Sequence, residues 1–146
     1  VDRLIELYGE MLAEELITGI EITVPVVGDE ALAPVAIFPP ESEEFDLVNK
    51  YNGRTKELCP VGDDIIPKNV QDEAREIALK VHKIIGARHL SRTDMIVTPE
   101  CKIYVLEINT MPGLTKESLL PKSAAAEGMD LKKLVSMFVE LASSKK

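Results

Sequence analysis

Two runs separated by a short polar break do most to limit what this chain can become. His89-Leu-Ser-Arg-Thr-Asp-Met-Ile-Val97 and Ile103-Tyr-Val-Leu-Glu-Ile108 both read as strands, and Thr98-Pro-Glu-Cys-Lys102 between them carries turn chemistry. The pair reads as an antiparallel hairpin. If the connection is Pro99 to Lys102, Thr98 faces Ile103, Asp94 lies opposite Glu107, and Arg92 lies opposite Asn109. Ile96 and Val105 continue that face inward. Met95, Val97, Tyr104, Leu106 and Ile108 cover the other face as core. The second strand then ends abruptly at Pro112-Gly113.

Glu107 and Asn109 stand two apart on a strand, so they share a face. Either they mark where the strand meets water, or they hold something. A carboxylate and an amide side by side are hard oxygen ligands suited to Mg²⁺. Like charges directly opposite each other are destabilising, so Asp94 facing Glu107 calls for a cation between them. Arg92 beside that cation can hold a phosphate. A one-residue slip in register would dismantle the constellation.

The rest of the chain organises around this hairpin without repeats. Asp2 to Tyr8 reads as a short helix. Met11 to Ile17 and Ile20 to Val27 read as strands around Thr18-Gly19, and Leu32 to Phe38 as a third strand after the turn Gly28-Asp29-Glu30. Pro39 to Ile66 is long, polar and without clear periodicity, and loops of that length are usually functional. Pro67 opens a helix whose buried stripe is Val70, Ala74, Ile77, Ala78, Val81 and Ile85, and Gly86 closes it. Glu117 to Glu127 and Leu131 to Ala142 form two last helices around Gly128. This order predicts an α+β fold with an antiparallel sheet.

Several of these motifs, in this order, resemble one family. Arg92-x-Asp94, Glu107-x-Asn109-x-x-Pro112-Gly113-x-Thr115 and Ser118-Leu119-x-Pro121 look like D-alanine–D-alanine ligases of the ATP-grasp superfamily. So do Glu14-Glu15-Leu16-Ile17-x-Gly19-x-Glu21-Ile22-Thr23-Val24, Lys50-Tyr51 and Cys59-Pro60-x-Gly62. The resemblance covers nearly the whole chain and implies the C-terminal lobe of an ATP-grasp domain, mostly antiparallel sheet flanked by helices.

That resemblance implies roles. Glu14, Glu15 and Ile17 would meet the adenine, the last two through backbone groups, and Glu21 would accept from ribose hydroxyls. Lys50 would meet the transferred phosphate and Tyr51 would orient groups near the first D-alanine, both from a loop that closes over the site and excludes water. Asp94, Glu107 and Asn109 would hold two Mg²⁺ ions, with Mn²⁺ as a substitute. Arg92 would stabilise the oxyanion or the transferring phosphate. Gly113 permits close backbone approach to a ligand. Ser118 and Leu119, at a helix start, would hold the carboxylate of the second D-alanine, although Thr115 and Ser118 also suit a simple helix end. The implied reaction is ATP-dependent joining of two D-alanines through an acyl phosphate, for peptidoglycan precursors. Lys50-Tyr51 favours the dipeptide over a D-lactate product. The alternatives are another ATP-grasp carboxylate–amine ligase, a D-alanine–D-lactate ligase, or a nucleotide-binding module without catalysis.

Composition sets outer bounds. The chain has 146 residues, 45% of them hydrophobic, with a net charge of −8 that argues against a nucleic-acid partner. No apolar run approaches the roughly 20 residues of a membrane span. Cys59 and Cys101 form no CxxC pair, which suits reduced thiols in the cytoplasm. His82 and His89 receive no role. Val1-Asp2 is not a natural start, so residues 1–146 are expected to be a piece of a longer protein, and the resemblance implies that the piece is one lobe and the parent a homodimer. The first-substrate domain and the lobe with the glycine-rich loop would lie elsewhere, and this piece alone would have little or no activity.

Overall fold

A computed structural model describes residues 2–39 and 55–144. In chain order the elements are α1 (Asp2–Tyr8), β1 (Ile20–Val27), β2 (Glu30–Ala31), β3 (Val35–Phe38), β4 (Lys56–Leu58), α2 (Lys68–Ile84), β5 (Leu90–Val97), β6 (Ile103–Asn109), α3 (Leu119–Ala126) and α4 (Leu131–Ser143). The six strands form one sheet in the order β4-β3-β1-β5-β6, with β2 paired to β1, and every pairing is antiparallel. The α+β, mostly antiparallel architecture expected from the sequence is present.

Helices cover both faces. On one, α2 packs Val70, Ala74 and Ala78 against Ile22, Val24, Val26, Met95 and Val97. On the other, α3 and α4 pack Leu120, Ala124 and Leu134 against Val27 and Leu32, while Leu119 seats on Val35 and Ile37. The β1 residues Ile22, Val24 and Val26 go to the α2 side and Thr23 to the α3 side, as strand alternation requires.

Several sequence expectations need correction. Residues 11–17 are not a strand: residues 10–18 carry no regular secondary structure, and Leu12 and Leu16 are 80% and 89% exposed. A strand needs a partner edge, and among the described residues none pairs with this segment. The expected strand from Leu32 to Phe38 is shortened to β3, because Pro34 cannot donate to a ladder, while β2 forms at Glu30–Ala31, beginning within the expected turn; the Leu32 amide still bonds to the Pro25 carbonyl at 2.8 Å. The segment from Pro39 to Ile66 contains β4, a three-residue strand made by pairing with the β3 edge rather than by its own pattern. Of the expected α2 stripe, Ile77 and Val81 are only half-buried and Ile85, the C-cap residue just past the helix, is exposed, whereas Gln71 and His82 are buried. Gln71 Nε2 donates to the carbonyls of Ile66 and Val61 at 2.8 and 3.2 Å, tying α2 to the turn before it.

The hairpin register also differs at one end. Asp94 does face Glu107 and Arg92 does face Asn109, but Val97, not Thr98, faces Ile103. The register shifts between Asp94 and Met95, leaving Leu106 as an extra residue in β6. Cys101 takes a left-handed φ of 63° in the turn. The bulge reverses facing along the inner half of β6. Tyr104 pairs with Ile96, and Val105 pairs with Met95, the reverse of the strict alternation expected from sequence.

Two local features are testable. A Cβ at Gly19 would strike the Val97 carbonyl oxygen and come within 2.7 Å of Ile96 Cγ2, so the start of β1 lies directly against the end of β5. Gly19→Ala is expected to destabilise by about 1–3 kcal/mol in urea unfolding. His82, 2% exposed, bonds through Nδ1 to the Ser91 hydroxyl at 2.7 Å. Burial pushes its imidazole below the ordinary value, against opposing pulls from Asp29 and a bond to the Ala87 backbone. The unfolded chain therefore takes up the proton first, so stability is complete above a pH of about 6.5 and falls as pH drops below it. The urea midpoint is expected to fall between pH 7.5 and 5.5, with a shallower fall in His82→Gln.

Candidate active site

The α3 side of the sheet carries a polar patch inside an otherwise apolar surface. Register builds it in rows. Thr23, Asp94 and Glu107 lie across β1, β5 and β6, Pro25, Arg92 and Asn109 form the next row, and Glu21, Ile96 and Tyr104 flank the first row on its other side. β1 and the β5–β6 hairpin, distant from each other in sequence, thus bring Glu21, Arg92, Asp94, Glu107 and Asn109 together.

Asp94 is the centre. It is 6% exposed and Arg92 is 9% exposed, although both are charged. Arg92 Nε donates to Asp94 Oδ1 at 2.9 Å and Nη2 donates to Oδ2 at 2.8 Å, a bidentate fork between residues two apart on one strand. The Thr23 hydroxyl donates to Asp94 Oδ1 as well. Sequence reasoning placed Thr23 in a motif but gave it no role; the local signal for one was a polar residue in the centre of an apolar strand.

Glu107 is exposed, and among the described residues its carboxylate accepts no hydrogen bond. Arg92 neutralises Asp94 directly, so the charge left for a cation to meet is chiefly that of Glu107. Asn109 Oδ1 accepts from the Met111 amide at 2.8 Å, closing the turn that leads to Pro112. Among the described residues no three His, Cys, Asp or Glu side chains gather into a self-sufficient metal site. Two carboxylates and an amide are nonetheless hard oxygen donors of the kind Mg²⁺ takes, and that ion is usually held by one or two carboxylates plus the phosphates of a substrate.

The turn after β6 leads to the start of α3. A Cβ on Gly113 would lie 2.6 Å from Ser118 Oγ, so glycine is needed here for close packing against Ser118 itself. Ser118 is the N-cap of α3 but makes no side-chain capping bond. Its Oγ instead accepts from the Thr115 amide at 3.2 Å and pairs with Thr115 Oγ1 at 2.9 Å. The Leu119 side chain is buried against Val35 and Ile37, leaving only its backbone amide for a ligand. The first amides of α3, without a side-chain cap, suit an anion. Lys122, one turn on, pairs with Glu57 of β4 at 2.7 Å and ties the helix to the sheet edge.

The remaining expected site residues divide. Glu21 lies in the patch. Glu14 and Glu15 are exposed and Ile17 half-buried, in the irregular segment before β1. Lys50 and Tyr51 lie outside the described residues. Cys59 packs beside Val35 and Leu119; burial and then Glu127 push its thiol up to about 11 against the pull of Arg75, so it stays protonated and unreactive. Cys59 is half-buried and Cys101 exposed, and the two are not bonded to each other.

The family profile described as "D-ala D-ala ligase C-terminus" matches residues 1–140. This chain belongs to that family. It is 42% identical over 142 residues to a D-alanine–D-alanine ligase of Oleidesulfovibrio alaskensis, covering 97% of this chain and 45% of that protein. It is 40% identical over 133 residues to the Clostridium botulinum enzyme of the same name, covering 90% and 42%. The chain therefore spans less than half the length of these relatives. A D-alanine–D-alanine ligase of Bacillus anthracis solved with ATP shares the fold at a TM-score of 0.71 and 29% identity, over 88% of this chain and 40% of that one. A D-Ala:D-Ser ligase from Enterococcus faecalis, 24% identical, shares the fold at a TM-score of 0.73 over 87% of this chain and 37% of that one.

The Thr23–Asp94 bond is testable apart from activity. Thr23→Val removes a donor to a buried carboxylate and is expected to cost about 1.5–3 kcal/mol in chemical denaturation. A double-mutant cycle with Asp94→Asn should show coupling above about 0.5 kcal/mol.

Proposed function

We propose that this chain is the ATP-grasp C-terminal part of a longer D-alanine–D-alanine ligase, which joins two D-alanines with hydrolysis of ATP to ADP. The observation that carries the reading is the row of Asp94 and Glu107 directly opposed across β5 and β6, with Asn109 and Arg92 in the adjoining row. Family membership over residues 1–140 supports the substrate class.

In this reading Asp94, Glu107 and Asn109 would hold two divalent cations. Bound Mg²⁺ supplies neutralisation of the β- and γ-phosphate charge during transfer. Glu21 accepts from the ribose hydroxyls, while Glu14, Glu15 and Ile17 line the adenine. Arg92, braced by Asp94, presents positive charge to the transferring phosphoryl group and then to the oxyanion formed when the second amine attacks the acyl phosphate. Lys50 and Tyr51 serve the phosphate and the first D-alanine. The α3 start, with the Ser118 hydroxyl and the Leu119 amide, takes the carboxylate of the second D-alanine, and Gly113 lets the turn approach it closely. The carboxylate of one D-alanine attacks the γ-phosphorus and ADP leaves. The amine of the other attacks the acyl carbon, losing a proton, and phosphate leaves.

This reading carries with it a role in peptidoglycan precursor synthesis, in the cytoplasm, by a homodimeric ligase. Among the described residues no helix is long and apolar enough to cross a membrane. Because the site lies on one side of a single sheet, the parts of the ligase beyond residues 1–146 are needed to close it, and the isolated chain should turn over little or no substrate.

Phosphate release by the full-length protein, with ATP, Mg²⁺ and D-alanine and with D-lactate as competing acceptor, tests the reading. D-alanine-dependent release yielding D-alanyl-D-alanine is expected, reduced on the order of 10²–10³-fold in Asp94→Ala. Release that requires D-lactate, or none dependent on D-alanine, would refute the substrate assignment.

A further inference from the structure

Tyr104 and Lys102 have no role in the mechanism above, and plain alternation would bury Tyr104 with Met95 and Val97. The Leu106 bulge turns it to the other face. Tyr104 pairs with Ile96, and Ile96 pairs with Glu21, so the three make one row across β6, β5 and β1. Packing agrees with this facing. Ile103, the preceding residue, packs into the cluster beneath α2 together with Met95 and Val97, and adjacent strand residues point to opposite faces. Tyr104 is half-buried.

A second observation concerns what lies beside that row. The Lys102 ammonium sits 4.5 Å from the centre of the Tyr104 ring. Lys102 is held protonated above its ordinary value, first by its hydrogen bond to Tyr104 and more weakly by the carboxylate of Glu15. Glu21 and Tyr104 stand two strands apart, a span of roughly 10 Å, comparable to a purine nucleoside. The metal-ligand row of Asp94 and Glu107 adjoins this row along its length.

We propose that Tyr104, steadied by Lys102, is a specificity-determining residue that supplies the aromatic wall for the nucleobase in this site. The proposal rests on the ATP-dependent reading given above. A phenol ring stacks on the π-face of a base, and a larger purine gains more from that contact than a pyrimidine. The cation over the ring limits its motion, so less freedom is lost when the base arrives. Glu21 at the other end of the row then receives the ribose, and the triphosphate runs toward Asp94 and Glu107.

Titration calorimetry on the full-length protein with Mg²⁺ separates the base from the phosphates. ATP and inorganic tripolyphosphate are each titrated into the unsubstituted protein, Tyr104→Ser and Tyr104→Phe. Tyr104→Ser is expected to raise the Kd for ATP roughly tenfold and leave tripolyphosphate binding unchanged, while Tyr104→Phe retains ATP affinity. ATP affinity unmoved by Tyr104→Ser, or lost equally for both ligands, would overturn the proposal while leaving the ligase reading in place. An unsubstituted protein that binds neither ligand would remove both.

Discussion

A carboxylate buried in the middle of a sheet must be compensated where it sits, and Asp94 is the residue around which this structure is arranged. Desolvating an ion costs several kcal/mol even after relaxation. Arg92 repays part of that through two parallel hydrogen bonds from its own strand, and Thr23 contributes a third from β1. These bonds do more than stabilise. They hold β1 and β5 in one register, because a slip of one residue would turn Thr23 away and bring Ile22 or Val24 against the carboxylate. The eight-residue pairing of β1 with β5, from Ile20–Val97 to Val27–Leu90, is the axis of the sheet.

The bulge at Leu106 settles the other side of that axis. An unbulged β6 that faced Asp94 with Glu107 would bury Tyr104 and point Val105 toward the site. With one extra residue, the outer half keeps Glu107 and Asn109 beside Asp94 and Arg92, and the inner half sends Ile103 into the core beneath α2. The polar patch and the apolar packing are thus served by a single strand that changes its facing midway.

The two helical layers divide the labour. The α2 layer buries a continuous apolar face and carries no site residue, while the α3 layer leaves the patch open beside it. Leu119 anchors the start of α3 on Val35 and Ile37, and Lys122 pins its second turn to Glu57, so the uncapped end of the helix is held by packing rather than by its own cap. Gly113 and Gly19 are both points of close approach, one to Ser118 and one to the end of β5.

Much of this was legible in the sequence. The hairpin, the α2 helix with its Pro67 start, the last two helices and the opposition of Asp94 to Glu107 follow from alternation, helical spacing and turn residues, which are local properties of the chain. The motifs of Arg92, Asp94, Glu107, Asn109 and Ser118 also pointed to the family. What only tertiary structure decided is whatever depends on a distant partner. Thr23 became part of the site because β5 pairs with β1 across about seventy residues of chain. β4 exists because β3 offers an edge, and residues 11–17 form no strand because none of the described strands pairs with them. His82 is buried because Ser91 waits opposite it. The facing of Tyr104 turned on one unpaired residue, Leu106, whose bulge reflects the balance of pairing on both sides of it and leaves no mark in the local pattern.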